Sequence, residues 1–160
     1  MSWFGTPPAG LDMYHVGVVV PDVREAMARY SAALGFTWSR VGDTRLDVLV
    51  DGRAREARIA ATYSMEGPPY LELIEERSGD VWAAHALGLQ HVGFWVDDLE
   101  GTISRFDDAG LPGRVRHLPA DGQPAMFSYH DAGAGMWWEL VGPSFRPRLE
   151  ARLRAGEQRP

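Results

Sequence analysis

The chain has 160 residues, about one domain by the usual size prior and long enough to bury a sizeable core. With 45% apolar and 24% charged residues its composition is ordinary for a globular protein, and a net charge of −6 argues against a phosphate-backbone partner. Cysteine is absent, which excludes disulfides, thiolate metal sites and a cysteine nucleophile and leaves His, Asp and Glu to hold any metal ion.

Residues 1–12 are rich in Pro and Gly and read as an N-terminal tail, in which Trp3 and Phe4 are available to dock on a partner surface. The tail lacks the basic start and apolar core of a signal peptide, and no run of about 18 apolar residues occurs anywhere. A cytoplasmic protein with no membrane partner is therefore expected. Residues 13–76 make a first module. Tyr14 to Val20 reads as a buried strand, and Asp22 caps a helix whose apolar residues Val23, Ala26, Met27 and Tyr30 recur every three or four positions until Gly35 stops it. Strands are predicted at Phe36 to Val41, Leu46 to Val50, Ala57 to Tyr63 and Tyr70 to Glu75, separated by Gly, Asp and Pro. Residues 77–88 form a linker. The second module, residues 89–143, opens on a strand from Gly88 to Val96. Asp98 then caps a helix striped by Leu99, Ile103, Phe106 and Ala109, and strands follow at Arg114 to Leu118, Ala125 to His130 and Met136 to Val141. Residues 144–160 alternate in charge and read as a solvated tail with at most one short helix.

The two modules repeat one another. "YHVGVVVPD" and "QHVGFWVDD" place His15 and His91 at equivalent positions 76 residues apart, with the capping aspartates at the same offset. Residues two apart on a strand share a face, so His15, Gly17 and Val19 point one way and Tyr14, Val16, Val18 and Val20 the other. On the copy His91, Gly93 and Trp95 share a face. A second echo occurs in "YLELIEE" and "WWELV", where Glu72 and Glu139 each stand between apolar residues on a strand. A carboxylate in that setting is costly to bury unless something pairs with it. One His and one Glu from each duplicated module make a ligand set for a divalent ion of moderate hardness. His85, His117 and His130 have no such echo and read as structural.

These motifs, in this order, resemble the vicinal oxygen chelate superfamily, which includes glyoxalase I, methylmalonyl-CoA epimerase, extradiol dioxygenases and bleomycin and fosfomycin resistance proteins. The resemblance covers about Met13 to Val141. It implies an α+β fold of two tandem βαβββ modules, whose sheets form a cup around one metal ion held by His15, Glu72, His91 and Glu139. The order and spacing of the four residues are most similar to the methylmalonyl-CoA epimerase-like group, with glyoxalase I next. The metal implied is one divalent ion among Co, Ni, Mn, Zn, Mg and Fe, and the superfamily habit of completing cups between chains implies a homodimer.

The implied activity is that of an epimerase, isomerase or lyase removing a proton α to the carbonyl of a small oxygenated substrate, with a metal-stabilised enolate. Glu139 and Glu72 are the candidate bases, and Asp51 or Asp47 a further one, although Asp51-Gly52 is also a strong hairpin-turn signal. Strand alternation places Val19, Tyr70, Ile74, Trp95, Trp137 and Val141 on the ligands' face, which predicts an apolar, aromatic substrate wall. Arg53, Arg55 and Arg58 either reach a phosphate or line a solvated strand edge. An extradiol-type dioxygenase and a ligand-sequestering resistance-type protein are the alternatives.

Overall fold

A computed structural model describes residues 10–77, 81–83, 88–133 and 135–158. The expectations for Trp3, Phe4 and His85, and for most of the N-terminal tail and linker, lie outside the described residues. The first module runs β1 (Asp12–Val20), α1 (Val23–Leu34), β2 (Trp38–Ser39), β3 (Gly42–Val50), β4 (Arg53–Tyr63) and β5 (Tyr70–Glu75). The second runs β6 (Gly88–Trp95), α2 (Leu99–Asp108), β7 (Gly113–His117), β8 (Phe127–Asp131) and β9 (Trp137–Val141). The chain continues into α3 (Arg146–Arg154) and β10 (Glu157–Gln158).

Both module helices start where the sequence places them, for the expected reason. The Asp22 carboxylate accepts from the Glu25 backbone N–H at 2.8 Å, and the Asp98 carboxylate from that of Gly101 at 3.0 Å. Gly35 closes α1 in the left-handed region at φ 76°, which an L side chain adopts at a cost. Val20, Val23, Met27 and Leu73 pack α1 on the first half-sheet, together with the fully buried Trp38. Val96, Leu99, Ile103 and Leu140 pack α2 on the second.

In each module the first strand pairs in parallel with the last, β1 with β5 and β6 with β9. The half-sheets then join twice, through antiparallel β1–β6 and β3–β7 contacts, and close a barrel of order β1-β5-β4-β3-β7-β8-β9-β6. This is the curved eight-stranded sheet expected of two βαβββ modules, closed within one chain.

Three local expectations change. Phe36 to Val41 contains only the two-residue strand β2, because β3 starts at Gly42 and runs with β4 as one long hairpin. The turn of that hairpin is Asp51-Gly52, with φ 48° and 77°, the paired positive values of a tight hairpin turn. Tyr14 does not face α1. The β1–β6 register slips between Met13 and His15, and this bulge turns Tyr14 into the barrel, where its ring stacks on Trp95 at 3.9 Å. Nor are the residues after 143 a solvated tail: Leu149 of α3 is 2% exposed and packs with Phe145 and Leu153 on the barrel's interior cluster, while Glu157–Gln158 pairs with Trp38–Ser39.

Candidate metal centre

Strand β1 contributes His15, β5 Glu72, β6 His91 and β9 Glu139, the four barrel strands nearest the β1–β6 seam. The antiparallel register sets His15 opposite Gly93 and Gly17 opposite His91. Each imidazole therefore lies over the other strand's glycine. A β-carbon on Gly93 would meet the Cε1 of His15 at 1.9 Å, and one on Gly17 the Cε1 of His91 at 2.0 Å. The repeated His-Val-Gly is thus a single device: the histidine fills the space that the glycine two residues along leaves for the partner module.

The four side chains converge. His15 Nε2 stands 2.7 Å from His91 Nε2, 3.3 Å from Glu72 Oε2 and 3.1 Å from Glu139 Oε2. His91 Nε2 is 3.1 Å from Glu72 Oε2 and 3.5 Å from Glu139 Oε2. Both histidines are fully buried, and the donor atoms of His15, Glu72 and His91 lie within 4.8 Å of one another, as a shared ion requires. Two imidazole nitrogens and two carboxylate oxygens suit a borderline divalent ion such as Zn, Mn, Fe, Co or Ni. Beyond the contacts at Nε2, aromatic rings pack against both imidazoles. His15 lies 4.2 Å from Tyr14 and edge-on to Tyr63 at 5.8 Å, and His91 is edge-on to Tyr129 at 5.2 Å. Nδ1 of both histidines is buried with no hydrogen-bond partner among the described residues.

Without an ion His15 holds its proton tightly and Glu72 gives its proton up. Burial opposes a charge on His15, but the carboxylates of Glu139 and Glu72 outweigh it and push its pKa from 6.5 up to about 9. For Glu72, burial raises the pKa, yet the contacts from His15 and His91 prevail and hold it well below the usual carboxylate range. Tyr14, Tyr63 and Tyr129 are pushed well above the ordinary phenol value, first by burial and then by the charges of Glu72 and Glu139.

A cavity of about 220 Å³ opens onto Glu72 and Glu139. Of the expected substrate wall only Val141 lines it. Val19 and Ile74 are buried, and Tyr70, Trp95 and Trp137 pack against the same interior cluster without lining the cavity. Closure of the barrel explains the displacement: the Tyr14–Trp95 stack and Phe145 fill the seam side, so the hollow lies against β3, β4 and β8. Its lining includes Leu46, Ile59, Tyr63, Phe127 and Tyr129. Tyr63 sits opposite Glu72 in the β4–β5 register and Tyr129 opposite Glu139 in the β8–β9 register. This tyrosine is a third duplicated position, standing opposite the glutamate on the penultimate strand of each module and missed in the sequence.

Asp51 does not join the site. It is exposed at the β3–β4 turn and its carboxylate is paired with the guanidinium of Arg114. Asp47 is likewise exposed on β3, outside the cavity lining. His130 is structural, its Nδ1 within 2.7 Å of the Leu111 carbonyl, and His117 Nδ1 accepts from the Met126 backbone N–H at 3.2 Å. Arg58 pairs with Asp43 at the strand edge. Among the described residues no helix is long and apolar enough to cross a membrane.

No curated protein matches the chain. Solved structures similar to it include methylmalonyl-CoA epimerase from Mycobacterium tuberculosis, at 21% identity and a TM-score of 0.57, with 92% of this chain and 95% of that one covered. A Streptomyces coelicolor methylmalonyl-CoA epimerase variant in complex with 2-nitronate-propionyl-CoA matches at 20% identity and a TM-score of 0.56, over 84% of this chain and 95% of that one. A hypothetical protein from Bacillus halodurans matches at 14% identity and a TM-score of 0.56, over 82% and 94%. At these identities the likeness concerns the fold. Residues 14–127, most of the chain, match the model of the Glyoxalase/Bleomycin resistance protein/Dioxygenase superfamily, and the chain belongs to that superfamily.

Proposed function

We propose that the chain is a divalent-metal-dependent enzyme of the epimerase, isomerase or lyase class, which removes a proton α to the carbonyl of a small oxygenated substrate. The observation that carries this reading is the convergence of two histidines and two glutamates at the floor of a cavity that both carboxylates line. His15, Glu72, His91 and Glu139 would hold the ion, which when bound supplies Lewis-acid polarisation of the carbonyl oxygen. The residues around it do the rest. Each glutamate approaches the imidazoles most closely through Oε2, and its carboxylate also lines the cavity, where it would accept the α-proton. One glutamate comes from each module, which gives an epimerase its two bases. The apolar walls limit water around the carbanionic carbon, and Tyr63 and Tyr129 remain neutral phenols able to donate hydrogen bonds to developing negative charge.

The similar structures named as methylmalonyl-CoA epimerases make methylmalonyl-CoA the first compound to try. Incubating the metal-loaded protein in D₂O with a panel of α-acidic carbonyl compounds should wash deuterium into the α carbon of those that bind productively. Glu139→Gln should slow that exchange by about a hundredfold or more, since an amide cannot accept the proton. Asp51→Asn should leave it unchanged. Oxygen uptake without exchange would replace this reading with the dioxygenase one, and tight ligand binding that survives chelator, with no turnover, with the sequestering one.

A further inference from the structure

The cavity has two unlike ends. Its floor carries the carboxylates of Glu72 and Glu139, whereas its roof is α3, which contributes Arg148 and Arg152 to the lining. Between them the walls are largely apolar. Neither guanidinium has a carboxylate within 4.0 Å among the described residues, although the chain has 22 acidic residues to 16 basic ones. Arginines outside the cavity do find such partners: Arg58 pairs with Asp43, Arg114 with Asp51 and Arg116 with Glu100.

Arg152 is half-buried and held in place. Its Nε and Nη2 donate to the Arg40 carbonyl at 3.1 and 2.9 Å, Nη2 also donates to the Ala61 carbonyl, and its guanidinium carbon lies 5.4 Å from the centre of the Tyr63 ring. Gly42 leaves the room it occupies, since a β-carbon there would meet Nη2 at 2.8 Å. Every partner is neutral, and Nη1 makes none of these bonds. Arg148, more exposed at the mouth, reaches Met126 Sδ at 3.4 Å, a weak acceptor. A positioned guanidinium whose charge is left unneutralised beside an apolar hollow is a receptor for a carboxylate.

We propose that α3 forms an anion subsite, and that the substrate is a small carboxylic acid whose carboxylate is held by Arg152 and Arg148 while its carbonyl end faces Glu72 and Glu139. The assignment of the reacting end rests on the proton-transfer reading above. With the charges of Glu72 and Glu139 balanced by the ion they would hold, the unneutralised guanidiniums of the roof are what draws a carboxylate to that end and sets which way round the molecule enters.

The test compares β-benzoylpropionate with its neutral amide, β-benzoylpropionamide, by titration calorimetry on the chelator-treated full chain. The acid should bind at least about tenfold more tightly than the amide, as expected of a charge-assisted contact. Arg148→Gln should lower that ratio while leaving the amide's affinity unchanged, and Arg148→Gln with Arg152→Gln should bring it close to one. Should Arg152→Gln loosen α3, as a fall in melting temperature would reveal, the wild-type ratio and Arg148→Gln still decide. Equal binding of acid and amide by the wild type, no binding of either, or a ratio unaffected by Arg148→Gln would overturn the proposal. Because the comparison is made without metal or turnover, failure of the exchange reaction would leave its result standing, and loss of the acid's advantage would leave the exchange result standing.

Discussion

Gly17 and Gly93 face the imidazoles of His91 and His15 across the β1–β6 ladder, and neither has room for a methyl group. Gly93→Ala is therefore expected to displace His15 and weaken metal binding by at least about tenfold, a change calorimetry reads directly, while circular dichroism shows the barrel retained. The protons in the cluster predict a pH response of the metal-free chain. His15 has its pKa raised from 6.5 to about 9, so its contribution to stability is full below 6.5 and is lost as the pH rises through about 9. Glu72 has its pKa lowered from 4.5, so its contribution is full above 4.5 and is lost as the pH falls toward its folded value. The pair together favours the window between about 4.5 and 6.5, and the alkaline fall in melting temperature should be smaller in His15→Gln. An ion must displace the His15 proton, so apparent metal affinity should rise with pH up to about 9.

Among the elements, β1 and β6 were legible because each joins a helix stop-and-start pattern to an alternating strand, and because the same pattern occurs twice. The bulge at Tyr14 was not legible: no Gly, Pro or Asn stands beside it, and it shows itself only in the register with β6. Helix α3 was obscured for a different reason. "RPRLEARLR" has Leu149 and Leu153 as its only large apolar residues, too narrow a stripe to separate from a solvated tail, and its place comes from tertiary partners: Phe145 beside Trp95, and Arg152 on the Arg40 and Ala61 carbonyls. The anchor is Leu149. Leu149→Ala should destabilise the protein by roughly 2–4 kcal/mol in denaturant unfolding, because it leaves a void beside a packed interior. A cost near zero would mean that α3 is undocked in solution.

In the whole molecule, the ligand set was legible because duplication makes one histidine and one glutamate stand out twice on apolar strands. The wall of the cavity was not, because strand alternation says which residues point inward but not where a closed barrel leaves its hollow. Val19, Ile74 and Trp95 point inward and are consumed by packing, whereas Tyr63 and Tyr129 reach the space over the glutamates. Closure also places all four candidate ligands in one chain, two from each module, so the site is complete without a second subunit. The homodimer expected from the resemblance would then carry two ions, one per chain, and light scattering beside metal analysis should give that ratio. The most direct measurement is titration of Co(II) into chelator-treated protein, followed by calorimetry and visible absorption, for wild type and His91→Ala. The account predicts one ion bound per chain, a rise in melting temperature on binding, and loss of both in a His91→Ala protein that remains folded. Co(II) binding of equal strength in His91→Ala, or a folded wild type that gains no stability from Co, Ni, Mn, Zn or Mg, would contradict it.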